Sequence, residues 1–226
     1  MIEDLMAMSS ENEFASVVSR LIQERSCRRL IETGTYHGLG STSFVAGALK
    51  SAGLTDSKFF SIEVDPENAS KARKNLSAAG LSDYVTIIVG LSLLRSQLKD
   101  PAGIERELDG QKWPMEVYLD HEPAVRAECF YKESNFPKER DGLLLDSIHA
   151  FDDRPDFVLL DSAGHLGWME FRTVVDNAKG NCILVLDDIK HCKHYRSHQE
   201  ILSDPRFKVL AVTDDRFGSI ATEFAP

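Results

Sequence analysis

The chain has 226 residues, with 36 acidic against 26 basic side chains and a formal net charge of −10. Its 42% hydrophobic content is enough for a real core and excludes wholesale disorder. Its longest apolar stretches, such as Phe157–Leu160 and Ile183–Leu186, fall far short of the roughly 20 residues of a membrane span. The acidic balance argues against nonspecific nucleic-acid binding, because the basic stretches 25–29 and 190–196 are short. The acidic start, Met1-Ile-Glu-Asp-Leu, has neither a basic nor an apolar leader region, so no secretory signal is expected. Four scattered cysteines without a CxxC pair then read as reduced thiols in a cytoplasmic protein.

In chain order, Phe14, Val17, Val18, Leu21 and Ile22 follow the i, i+3, i+4, i+7 spacing of one helical face, which predicts a helix over 11–24. A short strand, Arg29–Glu32, runs into a glycine-rich turn from Thr33 to Gly40. A helix follows over Ser41–Ser51. The second strand is Lys58–Val64, and Asp65-Pro66 suits the N-cap and first turn of a helix that stops near Ala79–Gly80. Tyr84–Val89 is a third strand.

The alternation breaks at about residue 91 and resumes at about 154. Trp113–Tyr118 could be a strand and Leu143–Ala150 a helix. An irregular stretch of this length inside a compact α/β domain predicts an inserted cap or substrate-binding element. Such an element could also mediate homodimerisation. Strand Phe157–Asp161, helix Leu166–Ala178, strand Cys182–Asp188 and helix His194–Leu202 follow. Strands Phe207–Thr213 and Gly218–Phe224 close the chain, and the short link between them requires an antiparallel hairpin. The pattern predicts one α/β domain over 1–226, a Rossmann-like doubly wound sheet of seven strands. The sheet is mostly parallel with a reversed C-terminal strand, and helices cover both faces.

Ligands of an open parallel sheet bind beyond the carboxyl ends of its strands. Five such ends carry suggestive residues: Glu32–Gly40, Glu63–Asp65, Gly90–Ser92, Asp161–His165 and Asp187-Asp188. Gly34 and Gly38 let the backbone approach a ligand, and the helix opening at Ser41 offers free N–H groups. The spacing is neither GxGxxG nor a P-loop, and a purely structural turn remains open. Glu63 can accept both hydroxyls of a ribose, whereas Asp65 reads as a helix cap. Asp161, Asp187 and Asp188 would cluster at neighbouring strand ends. They could hold Mg²⁺ or another divalent cation, or serve as caps. His194 and His198 share a helix face but lack a third ligand, so they read as part of a solvated polar helix. Tyr36, Trp113 and Trp168 could line a pocket or the core.

Together these residues resemble the class I S-adenosylmethionine-dependent methyltransferases. Leu30–Thr42 is similar to their E-x-G-x-x-x-G motif and Phe60–Pro66 to their second motif. The final hairpin matches their reversed last strand. The resemblance implies an S-adenosyl-L-methionine site built from Glu32, Gly34, Tyr36, Gly38, Ser41, Glu63, Val64, Ser92 and Asp161. Asp161 with Asp187-Asp188 is similar to the metal-dependent small-molecule O-methyltransferases, implying a divalent cation on those three carboxylates. Asp188 stands where that family carries Asn. The glycine loop is one residue longer before Ser41. The family's lysine soon after the first aspartate is absent from Asp161-Ser-Ala-Gly-His165. His165, with an ordinary pKa near 6.5, is the replacement base, acting with Asp161. The expected activity is therefore methyl transfer to a small molecule, most simply to an oxygen. A nicotinamide-dependent oxidoreductase and a non-catalytic nucleotide-binding domain are the competing readings.

Overall fold

The computed structural model describes residues 13–110, 122–214 and 217–226. Seven strands form one sheet: β1 (Arg29–Thr33), β2 (Lys58–Glu63), β3 (Thr86–Val89), β4 (Phe157–Leu160), β5 (Cys182–Asp187), β6 (Phe207–Thr213) and β7 (Ser219–Phe224). Their spatial order is β3-β2-β1-β4-β5-β7-β6. The first five are mutually parallel, and β7 runs antiparallel to both β5 and β6. The expected mostly parallel sheet with a reversed last strand is therefore present. The chain grows outward from β1 through β2 to β3, then restarts beside β1 with β4. The order reverses between β1 and β4, the position at which doubly wound sheets open a crevice.

Among the described residues eight helices accompany the sheet: α1 (Glu13–Arg25), α2 (Ser41–Ser51), α3 (Pro66–Ala78), α4 (Pro101–Gly110), α5 (Pro123–Ser134), α6 (Leu143–His149), α7 (Gly167–Asn177) and α8 (Tyr195–Ser203). Alternate side chains of each strand point to opposite faces. Leu30, Phe157, Leu159, Ile183 and Val185 thus join Phe14, Leu21 and Ile22 of α1, Val45 and Leu49 of α2, and Leu76 of α3. On the other face Ile31, Val158, Leu160, Leu184 and Leu186 pack on Leu144 and Ile148 of α6, Phe171 and Val174 of α7, and Ile201 of α8. Each such buried aliphatic side chain contributes about 1.5–3 kcal/mol. α3 starts as its sequence dictates: the Asp65 carboxylate accepts from the Glu67 N–H at 2.8 Å, and Pro66 fills the first turn.

The structure shifts some expected boundaries. Tyr84 closes a single 3-10 turn, Ser82–Tyr84, and β3 begins only at Thr86. The described residues of the stretch without a period hold three α-helices, α4, α5 and α6. Helices α4 and α5 pack mainly on each other, around Ile104, Leu108, Ala127 and Phe130. Trp113 and the segment Trp113–Tyr118 lie outside the described residues, as do Asp215 and Arg216 of the β6–β7 link. Among the described residues no helix is long and apolar enough to cross a membrane. All four cysteines are free.

Candidate active site

A cavity of about 510 Å³ opens at the carboxyl ends of the strands, where the order reverses. Its walls include Gly34 and Tyr36 after β1, Glu63 at the end of β2 and Val64 after it, Ser92 after β3, and Asp161 after β4. Six of the residues expected for a cofactor are thus brought together. The other three, Glu32, Gly38 and Ser41, do not line the cavity and support the turn above it. Glu32 is fully buried. Its Oε2 accepts from Thr42 and Ser61, each at 2.6 Å, and Ser41 also hydrogen-bonds to its carboxylate. Gly38, at φ +69°, brings the turn against α3, where an added Cβ would lie 3.1 Å from that of Ala72.

Gly34 is the hinge between the turn and the sheet. Its φ is +90°, a conformation open to glycine, and its N–H donates to the Ile62 carbonyl at 3.0 Å. A Cβ there would lie 2.3 Å from the Asp161 carbonyl oxygen. Glu63 is held rigidly beside it. One carboxylate oxygen accepts from the Tyr36 N–H at 2.6 Å and the other from the Asp65 N–H at 2.9 Å. Burial pushes its pKa up, against the lowering effect of these bonds. Each oxygen has a second lone pair available for a ligand hydroxyl.

Asp161, Asp187 and Asp188 do converge, with one oxygen of each lying within 4.8 Å of the others. Asp187 accepts from the Ser219 hydroxyl at 2.5 Å. A fourth charged group, not anticipated from the sequence, lies among them. The Lys193 ammonium is 3.0 Å from Asp161 Oδ1 and 2.9 Å from Asp188 Oδ2. Burial alone would lower its pKa, but Asp188, Asp161 and Asp187 outweigh that and hold it above the ordinary lysine value. The Asp161 carboxyl is pushed up to about 8. Burial is the main cause and Asp187 and Asp188 add to it, while Lys193 pulls the other way.

His165 does not line the cavity. It is buried, stacks on Phe130 of α5 at 6.2 Å, and has no hydrogen-bond partner on either ring nitrogen among the described residues. Desolvation lowers its pKa to about 4, so it is neutral at pH 7. His194 and His198 do not share a solvated helix face, since only His198, half-buried on α8, meets solvent. His194 precedes α8 and is fully buried, with a pKa lowered by desolvation to about 3, and desolvation also lowers that of His198. Trp168 stacks on Phe171, with the Arg196 guanidinium 4.2 Å from its ring, and does not line the cavity.

A second residue the sequence did not reveal is Glu170 of α7. It is fully buried and accepts from Thr33 at 2.9 Å and from Ser162 at 2.5 Å, with Ser92 also bonded to it. It therefore ties together the ends of β1, β3 and β4. Burial raises the pKa of both Glu32 and Glu170. A raised carboxyl pKa binds protons more tightly in the folded state, so its stabilising effect is complete below the unfolded value and fades as pH rises through the folded one. Stability should therefore fall as pH rises above the ordinary glutamate value of about 4.3, by up to about 1.4 kcal/mol per pH unit per group. In urea titrations at several pH values, Glu32→Gln should flatten this slope. An unchanged slope would remove Glu32 as its source.

An open sheet of this order, with its reversed seventh strand and a cavity at the switch point, defines a Rossmann-like methyltransferase fold. The comparisons with known proteins agree. Over 116 residues the chain is 33% identical to catechol O-methyltransferase of Sus scrofa, which covers 51% of this chain and 56% of that protein. Over 92 residues it is 28% identical to the O-methyltransferase imqG of Aspergillus flavus, covering 41% of this chain and 34% of that one. The matches thus span less than two thirds of these relatives. Among solved structures, the O-methyltransferase from Bacillus cereus in complex with SAH superposes with a TM-score of 0.58 at 16% identity. That match covers 99% of this chain and 86% of the other. TomG from Streptomyces achromogenes, an O-methyltransferase of tomaymycin synthesis solved with SAM, gives 0.57 at 16% identity over 97% and 82%. No protein-family model matches the chain.

Proposed function

We propose that this protein transfers a methyl group from S-adenosylmethionine to an oxygen of a small molecule. The observation that carries the reading is the pairing of Gly34 with Glu63 at the switch-point cavity. There the backbone can approach a ligand closely, and a fixed carboxylate can accept two hydroxyls. The relatives named above support the choice of cofactor and of oxygen as the acceptor.

S-adenosylmethionine supplies an electrophilic methyl on a positively charged sulfur. Glu63 would hold its ribose, and Tyr36 and Val64 would flank it on the cavity wall. Asp161, across β1 from Glu63, would orient the accepting oxygen and, in its ionised form, take its proton. We assign that proton to Asp161 because it lines the cavity and His165 does not. The oxygen would then bond to the methyl carbon as the carbon–sulfur bond broke, so that the donor would leave as a neutral thioether. Lys132, Glu133 and Phe136 of the insertion also line the cavity, so we assign the end of α5 and the turn after it to the substrate-facing wall. No step is routed through a divalent metal, because the Lys193 ammonium bridges two of the three carboxylates that would bind one.

Isothermal titration with S-adenosylhomocysteine, with NAD as the control, tests the proposal. Binding of the former alone is expected, and Glu63→Ala should weaken it by about 1–3 kcal/mol. Binding of NAD instead, or unchanged affinity in the variant, would remove the assignment.

A further inference from the structure

We infer that the Lys193 ammonium is the resident cation of the Asp161–Asp187–Asp188 cluster and that the site works without a divalent metal. The inference deepens the methyltransferase reading, since it concerns the same cavity, but its test does not require methyl transfer.

A divalent ion needs its oxygen ligands to converge at about 2.0–2.6 Å. The Lys193 nitrogen lies between Asp161 Oδ1 at 3.0 Å and Asp188 Oδ2 at 2.9 Å, ordinary distances for charge-assisted N–H···O bonds. An ion bridging the same two oxygens would have to sit against the ammonium, with like charges in contact. The lysine side chain is only 6% exposed, so it is built into the site and has not folded over it from the surface.

The surrounding chain shows why this lysine points inward. Its neighbour Cys192 inserts into the apolar cluster of α4 and α5, beside Ile104, Leu108 and Phe130. His191 lies 3.0 Å from the Arg126 guanidinium of α5, and Arg196 pairs with Glu107 of α4 at 3.6 Å. The inserted helices thus grip the segment on both sides of residue 193. From the opposite direction α7 packs against it so closely that a Cβ on Gly167 would lie 2.6 Å from the Lys193 carbonyl oxygen. The Lys193 N–H donates to His191 Nδ1 at 3.3 Å. With its backbone fixed and Cys192 buried in the insertion, the lysine side chain reaches the carboxylates. Asp161 is the member of the trio that lines the cavity, and Lys193 is its positioning residue.

The test is direct metal binding by the full chain, with Mn²⁺ followed by calorimetry and electron paramagnetic resonance. Wild type should show no saturable binding at millimolar Mn²⁺. Lys193→Met should bind Mn²⁺ on the order of 100-fold more tightly than the wild-type limit, because buried carboxylates left without a countercharge demand one. Adding Asp187→Asn should abolish the gain, and Lys193→Arg should remain metal-free. Saturable sub-millimolar binding by wild type that Asp161→Asn removes would overturn the inference. So would a folded Lys193→Met that binds none. If Lys193→Met does not fold, the wild-type and Lys193→Arg titrations decide. S-adenosylhomocysteine binding in the same preparations reads the cofactor proposal separately, so either can fail without the other.

Discussion

Replacing Gly34 with alanine is expected to cost about 3 kcal/mol or more and to abolish cofactor binding. Two terms add. A non-glycine residue at a φ of +90° is strained by roughly 1–2 kcal/mol. The new Cβ would also meet the Asp161 carbonyl oxygen at 2.3 Å and its carbon at 2.7 Å. Those are backbone atoms of the next strand end and cannot swing aside, so β1 and β4 would have to separate, at a further 1–3 kcal/mol or so. That separation would move Asp161 and loosen the Gly34 N–H bond to Ile62, on opposite sides of the cavity. Urea unfolding checks the prediction, with Gly47→Ala as the control. Gly47 lies inside α2 with nothing within 4 Å of an added Cβ, so alanine there should stabilise by about 0.5–1 kcal/mol. Equal midpoints for the two variants would show that the close approach at Gly34 carries no energy.

The sheet was legible in the sequence because its strands are apolar runs that end on acidic or glycine residues. Phe157–Leu160 and Ile183–Leu186 are buried throughout, and continuous apolar runs mark strands covered on both faces. The last hairpin followed from chain length alone, since so short a link cannot make a parallel crossover. Helices α4 and α5 were not legible for a physical reason. They cover each other and not the sheet, so α4 buries only Ile104 and Leu108, and α5 only Ala127, Phe130 and Ser134. In α4 the buried pair Ile104 and Leu108 lies one turn apart on one face, but two positions are too few to fix a helix against its charged and turn-forming neighbours.

The candidate site divides along a similar line. Residues at the carboxyl end of a strand or within three residues of it were found, because the strand fixes their position. Tyr36, Glu63, Ser92 and Asp161 all reach the cavity. Glu32 was also singled out, but its place in β1 turns it inward to Thr42 and Ser61. Lys193 comes six residues after β5 and depends on the insertion for its direction, which no local pattern encodes. The signal that could have drawn attention to it was Cys192, an apolar side chain within a polar run.

Glu170 shows the same limit and supports the second large effect: Glu170→Ala should cost about 3–5 kcal/mol. Read in sequence, a glutamate in the first turn of α7 is an ordinary surface residue facing the helix dipole. In the structure it is fully buried, and its carboxylate is the common acceptor for hydroxyls from three strand ends, Thr33, Ser92 and Ser162. Alanine would leave these hydroxyls unpaired and desolvated, at about 1–3 kcal/mol for each one that cannot relax to another partner. It would also leave a void under the cavity floor. Glu170→Gln separates the two possible origins of the loss. The amide keeps the shape and an accepting oxygen but removes the charge. If the hub works by hydrogen bonding and its charge is dispensable, glutamine should recover most of the stability and bind S-adenosylhomocysteine nearly as well as wild type. If its negative charge is what the three hydroxyls require, glutamine should fail much as alanine does, and the hub would have to be redrawn as a buried anion.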